Sequence, residues 1–344
     1  MNNCLLCKKR LADKKGSHIV PHFLLKRIEN IEGKKDRDNE LGFNIQEFHT
    51  ESYFGRAVQP DKLNDVYGEL SDEEIKNNKH PLVVDNTFCS YCESRFSKIE
   101  SEYAKTLIKF DSKQYESGIS SELGLLFWLS IIWRMSINKK SGVQLTKSES
   151  EISRRILNRC LQDKITNIDL KKMQESKDLK KISYRLFRCP NYSEENSTFL
   201  LLHPKFGNPY ALIIDEYLLL LSFKNNYKDF LSKDLFGVKE EVFQAKINQN
   251  KAYENISVLN AESFKKFNSE IIITMKKIRV KWLNEFFNKL HVAMGGYGKI
   301  MPDEIRREIM EEITSEEKKL GRQHTLEDVK KSTIKVMRKY EPQQ

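Results

Sequence analysis

The sequence is short of several things, and each shortage excludes a class of protein. No apolar run approaches the ~20 residues a helix needs to span a bilayer. The longest, Leu123 to Trp133 and Tyr217 to Phe223, are about half that or less. Cysteine is sparse, six in 344 residues, too few for a disulfide-stapled secreted scaffold. Met1-Asn2-Asn3-Cys4 has none of the charge and apolar patterning of a signal peptide. There is no internal repeat, no low-complexity tract and no phosphate-cradling P-loop, so any ATP-driven step would fall to a separate ATPase or other protein subunit. These absences lead us to expect a soluble, cytoplasmic protein with no membrane partner.

What is present is a polar but globular composition, 39% apolar and 31% charged, with a formal net charge of +10. The length suffices for two domains and a sizeable core. Excess cationic charge fits a polyanionic partner, since basic surface gains affinity by releasing counterions from phosphates. A merely basic soluble protein has the same composition.

Four of the six cysteines form two C-x-x-C pairs, Cys4–Cys7 and Cys89–Cys92. Each such pair turns tightly and offers two thiolates to one ion; two pairs complete a tetrahedral four-sulfur zinc site. The alternative, ordinary buried thiols, fits Cys160 and Cys189, which stand alone. Residues 8–88 lie between the pairs, a long separation for a compact finger. After the first pair comes Ser17-His18-Ile19-Val20-Pro21. His18, with an ordinary pKa near ~6.5, can take a proton from water near neutral pH. Glu93, directly after Cys92, is a hard oxygen donor suited to Mg²⁺. Taken singly, His18 reads as a packed histidine and Glu93 as a helix-capping carboxylate; flanking a zinc scaffold together, they read as a site.

In this frame the sequence resembles the HNH, or ββα-metal, nucleases built on a treble-clef zinc finger. The resemblance rests on Cys4, Cys7, His18-Ile19-Val20-Pro21, Cys89, Cys92 and Glu93, and covers about residues 1–110. It implies a DNA endonuclease with His18 as general base and Glu93 as ligand of a catalytic Mg²⁺ or Mn²⁺ beside a structural Zn²⁺, and suggests restriction or antiphage defence by analogy. Two departures stand out. The family usually has Asp or Glu before the histidine, where this chain has Ser17, a weak neutral ligand. The helix ligand is commonly Asn or His, where this chain has Glu93. Asp13, His22, Asp85, Asn86 and Glu100 are further nearby candidates, Asn86 alternatively as a turn former.

The expected fold is α+β: an N-terminal zinc-finger domain over residues 1–110 with an insertion at about 31–84, then a mixed helical and β region with C-terminal helices over 120–344. Leu82-Val83-Val84 reads as a brief strand. Phe96, Ile99, Tyr103, Leu107 and Phe110 recur at helical spacing, 111–121 reads as a polar loop, and 123–137 as a buried helix with Trp128 and Trp133 in the core. Ser148 to Leu161 is amphipathic, and 163–181 is charged. Strands are expected at 184–189, 199–203, 211–214 and 217–223, and a long helix over 264–290. Gly295 to Gly298 ends that helix, and Pro302 opens a last charged helical segment. Lys276, Lys277 and Lys281 lie on the polar face of the long helix and are candidates for tracking a phosphate backbone; a solvated face explains them equally well. The competing functional reading is a zinc module that binds nucleic acid or protein without cutting.

Overall fold

The computed structural model describes residues 2–26, 28, 32–45, 50–67, 70, 72–78, 80–107, 114–138, 144–161, 177–192, 200–202, 209–223, 239–249, 251–320 and 326–340. It is a mixed α and β protein that divides into two compact units, one of residues 1–56 and 79–275, the other of residues 57–78 and 276–344.

In the first unit, after the short strands β1 (Ser17–His18), β2 (Leu41–Ile45), β3 (Thr50–Phe54) and β4 (Val83–Val84), a six-stranded sheet is built from β5 (Gln114–Glu116), β6 (Ser183–Arg188), β7 (Leu200–Leu202), β8 (Tyr210–Ile214), β9 (Tyr217–Ser222) and β10 (Asn255–Val258), in the order β5-β10-β6-β9-β8-β7. Among the described residues only the β10–β6 pair of this sheet is parallel; β8 and β9 are a hairpin in which Ile214 faces Tyr217. The near-continuous apolar runs of β8 and β9 follow from burial of both faces, since neighbouring residues on a strand point to opposite sides. On one side Tyr184, Leu186, Leu212, Leu219 and Leu221 join the main core. On the other, Phe187, Ala211, Ile213, Leu218 and Leu220 meet Phe264, Phe267 and Ile271. Those three come from the start of a long helix, Ala261–Ala293.

Three expectations change. The helical spacing read through Leu107 stops short of it, since the helix ends at Ala104 with Lys105 as its C-cap. Residues 114–116, read as part of a polar loop, pair with β10 as an edge strand, because Tyr115 is buried and its neighbours are exposed. The single last helical segment is two helices, Asp303–Leu320 and Leu326–Met337. Phe110, most of the charged stretch at 163–181 and the ends of the 199–203 strand lie outside the described residues.

The main core is centred on α5 (Ser121–Ile137), buried nearly all round as its mostly apolar sequence, interrupted by Ser130 and Arg134, requires. Ser120 caps it by accepting from the Leu123 amide. Phe127 stacks on Tyr103 of α4 (Ser90–Ala104) with ring centroids 3.9 Å apart. Trp128 and Trp133 are fully buried, Trp133 beside Phe88. Helix α6 (Lys147–Cys160) opens with a capping box between Thr146 and Glu149. Cys4, Leu6, Ile19, Val20, Phe88, Cys89 and Cys92 belong to this same core, so the cysteine-bearing segment is not an appendage.

Inside the core, the buried Glu254 carboxylate accepts from Tyr184 at 2.7 Å and from Tyr103 at 3.1 Å, and Trp128 Nε1 donates to the Tyr103 hydroxyl at 2.9 Å. Gly124 makes room for it: a Cβ there would lie 2.2 Å from Glu254 Oε1 and 2.3 Å from the Tyr184 hydroxyl.

The second unit contains the rest of the long helix and the two C-terminal helices, packed around Phe287, Met301, Ile305, Ile309, Val336 and Met337. Arg306 binds Asn284 and Asn288 at 3.0 and 2.8 Å. Among the described residues, no helix is long and apolar enough to cross a membrane.

Candidate metal centre and adjoining site

The first C-x-x-C pair closes as a turn. The Lys8 amide donates to the Cys4 carbonyl at 2.8 Å, and Lys8 takes the left-handed conformation with φ 58°. The chain then doubles back, with the Cys4 amide donating to Arg10 and the Ala12 amide to Asn2. The second pair sits where the chain enters α4: Cys89 is the N-cap and Cys92 lies in the first turn, so helical spacing puts both sulfurs on one face. The usual side-chain cap is supplied from elsewhere, since Asp13 Oδ1 accepts from the Ser90 amide at 2.7 Å. Further backbone bonds, from Leu5 to Thr87, Lys14 to Phe88 and Asn86 to Lys14, hold one pair against the other.

The four sulfurs lie within 4.8 Å of one another. Zinc–sulfur bonds of about 2.3 Å in a tetrahedron place sulfurs roughly 3.8 Å apart, so the cluster needs only slight contraction to hold a metal ion. The thiols compete for ionisation. Cys4 is pushed down to about 4, chiefly by the hydrogen bond from Cys92, while Cys92 is pushed up, chiefly by that bond to Cys4, and burial pushes Cys89 up. A dication resolves the competition by letting all four act as thiolates. Arg95, buried in α4, points Nη1 at Cys92 Sγ, 3.8 Å away, and also binds the carbonyls of Asn158 and Leu161 at the end of α6. Arg154 of α6 donates to the Leu6 carbonyl at 2.9 Å.

Beside this cluster, β1 (Ser17–His18) pairs antiparallel with β4 (Val83–Val84), Ser17 opposite Val84 and His18 opposite Val83. Ser17 is buried and His18 half-buried. Glu93, at the start of α4, is half-buried, and burial raises its pKa. Arg134, Ser17 and Lys14 act against that rise and Glu100 adds to it. The Ser17 hydroxyl therefore faces the carboxyl, yet neither Ser17 Oγ nor Glu93 Oε2 makes a hydrogen bond of normal geometry. Two buried oxygens without a partner, side by side, are unusual in a folded protein.

Arg134, the one charged residue of the apolar run in α5, reaches this place. It donates to Glu100 Oε1 at 2.6 Å and to the His18 carbonyl at 2.8 Å, its guanidinium over the Phe96 ring. Sequence reasoning passed over Arg134 and Arg95; for Arg134 the available signal was a lone arginine within an apolar helix. The other nearby candidates serve the backbone or the surface. Asp13 caps α4, Asp85 accepts from the Gly16 amide at 2.7 Å, and Asn86 turns the chain with φ 51°. His22 pairs with Asp36 at the surface. Lys276, Lys277 and Lys281 lie in the second unit, exposed, with Lys281 4.0 Å from Glu285. No family model, curated protein or solved structure matches this chain.

Proposed function

We propose that the chain is a metal-dependent endonuclease of the HNH, treble-clef type that hydrolyses phosphodiester bonds of DNA, with Zn²⁺ held by Cys4, Cys7, Cys89 and Cys92. The observation that carries this reading is the pair of buried oxygens without a hydrogen bond of normal geometry, Ser17 Oγ and Glu93 Oε2, with Ser17 directly preceding His18 in the chain. Buried oxygens facing each other fit a hard cation such as Mg²⁺ or Mn²⁺. When bound, such a cation offsets charge on the phosphate and the leaving oxygen.

The protein's own groups have distinct tasks in this scheme. Glu93 and Ser17 would hold the cation, and the carboxylate would supply the charge that Ser17 lacks. His18 takes the proton of the attacking water. Arg134 fixes the His18 backbone through its carbonyl, and its charge favours ionised Glu93. Glu100 orients Arg134. The test is cleavage of plasmid DNA with Mg²⁺ or Mn²⁺: wild type cuts, His18→Ala does not, and both retain zinc. Equal cutting by the two proteins overturns the reading.

A non-catalytic zinc module is the second reading. It is favoured by the neutral, buried Ser17 and by the burial that holds Glu93 toward its uncharged form. Binding without cleavage by any divalent ion selects it.

A further inference from the structure

The hairpin that closes the first cysteine pair carries five cations within eight residues, Lys8, Lys9, Arg10, Lys14 and Lys15, against one acid, Asp13. The structure sorts these charges. Asp13 is spent on α4, where its two oxygens accept from the Ser90 amide and hydroxyl. Asp85, the acid that meets the hairpin from the β4 side, accepts from the Gly16 amide. Lys8 pairs with Glu151 at 3.3 Å. Lys9, Arg10, Lys14 and Lys15 remain exposed.

The backbone that carries these four is held in place. Their segment is pinned by backbone bonds at Cys4–Arg10, Asn2–Ala12, Phe88–Lys14 and Lys14–Asn86. The Arg10 guanidinium lies over the Tyr91 ring, 3.9 Å from its centroid, and Tyr91 itself is partly exposed on the first turn of α4. Lys14 is near enough for its charge to act on Glu93. The cations therefore stand on a fixed backbone that begins at the four-sulfur cluster, with Lys14 close enough for its charge to reach Glu93. A backbone already fixed loses little freedom on binding, which favours a regularly charged ligand.

We infer that Lys9, Arg10, Lys14 and Lys15 form a phosphate-backbone contact surface that brings a nucleic acid across the Ser17–Glu93 site. The choice of nucleic acid as the polyanion rests on the function proposed above; the surface itself rests on the charges and their placement. Contacts of this kind position the ligand and carry no base sequence. Each neutralised phosphate of a duplex contributes about 0.9 to the slope of log affinity against log salt.

The experiment measures binding of a labelled duplex oligonucleotide by fluorescence anisotropy across a salt series, without divalent ions. Wild type is compared with Lys9→Gln/Lys14→Gln/Lys15→Gln and with His18→Ala, zinc content and circular dichroism serving as checks of folding. The triple variant is expected to keep its zinc and fold and to lose about 2.7 from the slope, three cations at about 0.9 each. If the triple variant misfolds, Lys15→Gln alone, with an expected loss of about 0.9, decides the matter. A slope and affinity equal to wild type overturn the inference, as does competition by polyglutamate equal to that by duplex at matched charge. His18→Ala is expected to bind as wild type does. If it also cuts as wild type does, the proposed catalytic role fails while the contact surface stands; if cutting depends on His18 but the lysine variants bind undiminished, the reverse holds.

Discussion

Arg134 Nη1 donates to the backbone carbonyl of His18 at 2.8 Å, across 116 positions of sequence. The same guanidinium carries Glu100, so one side chain from the most buried helix ties the strand bearing His18 to the helix bearing Glu93. An arm two residues long in its strand pairing has little rigidity of its own; its position comes from the core behind it.

Arg134→Met should therefore cost stability and misplace the arm together. Removing one member of a largely buried pair leaves Glu100 uncompensated, a loss of about 3 kcal/mol. Chemical denaturation checks the size. Losing the nearby positive charge also raises the Glu93 pKa further, so the acid limb of a cleavage pH profile should move to higher pH. An unmoved limb would separate Arg134 from the site.

Metal analysis should find one Zn²⁺ per chain, lost in Cys89→Ser/Cys92→Ser. Arg95 touches Cys92 Sγ without ligating anything. Outer groups of this kind commonly tune metal affinity by about 10–100-fold. Arg95→Met should then release zinc to a chromogenic chelator faster at unchanged stoichiometry. A wild-type release rate would reduce Arg95 to a link between α4 and α6.

Glu254 gives the core a pH dependence. Burial pushes its carboxyl up to about 7, with the Tyr103, Tyr184, Trp128 and Ser117 donors opposing the rise. The unfolded chain releases this proton near ~4.3. Between those values the folded state holds a proton that the unfolded state has lost, so stability falls as pH rises, by about 1.4 kcal/mol per unit, and levels off above about 7. The contribution is fully present below the unfolded value. Denaturation of wild type and Glu254→Gln at several pH values between 5 and 8 should show the slope reduced in the variant.

Gly124→Ala probes the same place sterically. The added methyl would sit against Glu254 and Tyr184 at well under contact distance. Displacing a hydrogen-bonded buried carboxyl should cost about 1–3 kcal/mol, although alanine is the better helix former. A thermal midpoint equal to or above that of wild type would contradict the packing described here.

Ser17→Asp should restore the acidic residue that the HNH resemblance lacks. In the proposed nuclease it should lower the Mn²⁺ concentration giving half-maximal cleavage, and destabilise the protein when metal is withheld, because two buried carboxyls then face each other. Unchanged metal dependence would remove Ser17 from the ligand set.

Much of this was legible in the chain itself. The cysteine pairs announce their turns because C-x-x-C geometry is decided within four residues. The apolar run at 123–137 announces a buried helix, and the runs at 211–214 and 217–223 announce strands buried on both faces, because side-chain period is a property of the local backbone. Other features were decided only by tertiary packing. Nothing near Arg134 marks His18 or Glu100 as its partners, nothing near Ser90 marks Asp13 as its cap, and Glu254 lies 151 positions from Tyr103. The strand order, with β10 between β5 and β6, is equally silent in the sequence. Turn and period are set by neighbours a few bonds away, whereas the partner of a buried charge is whichever group the packed core brings within reach.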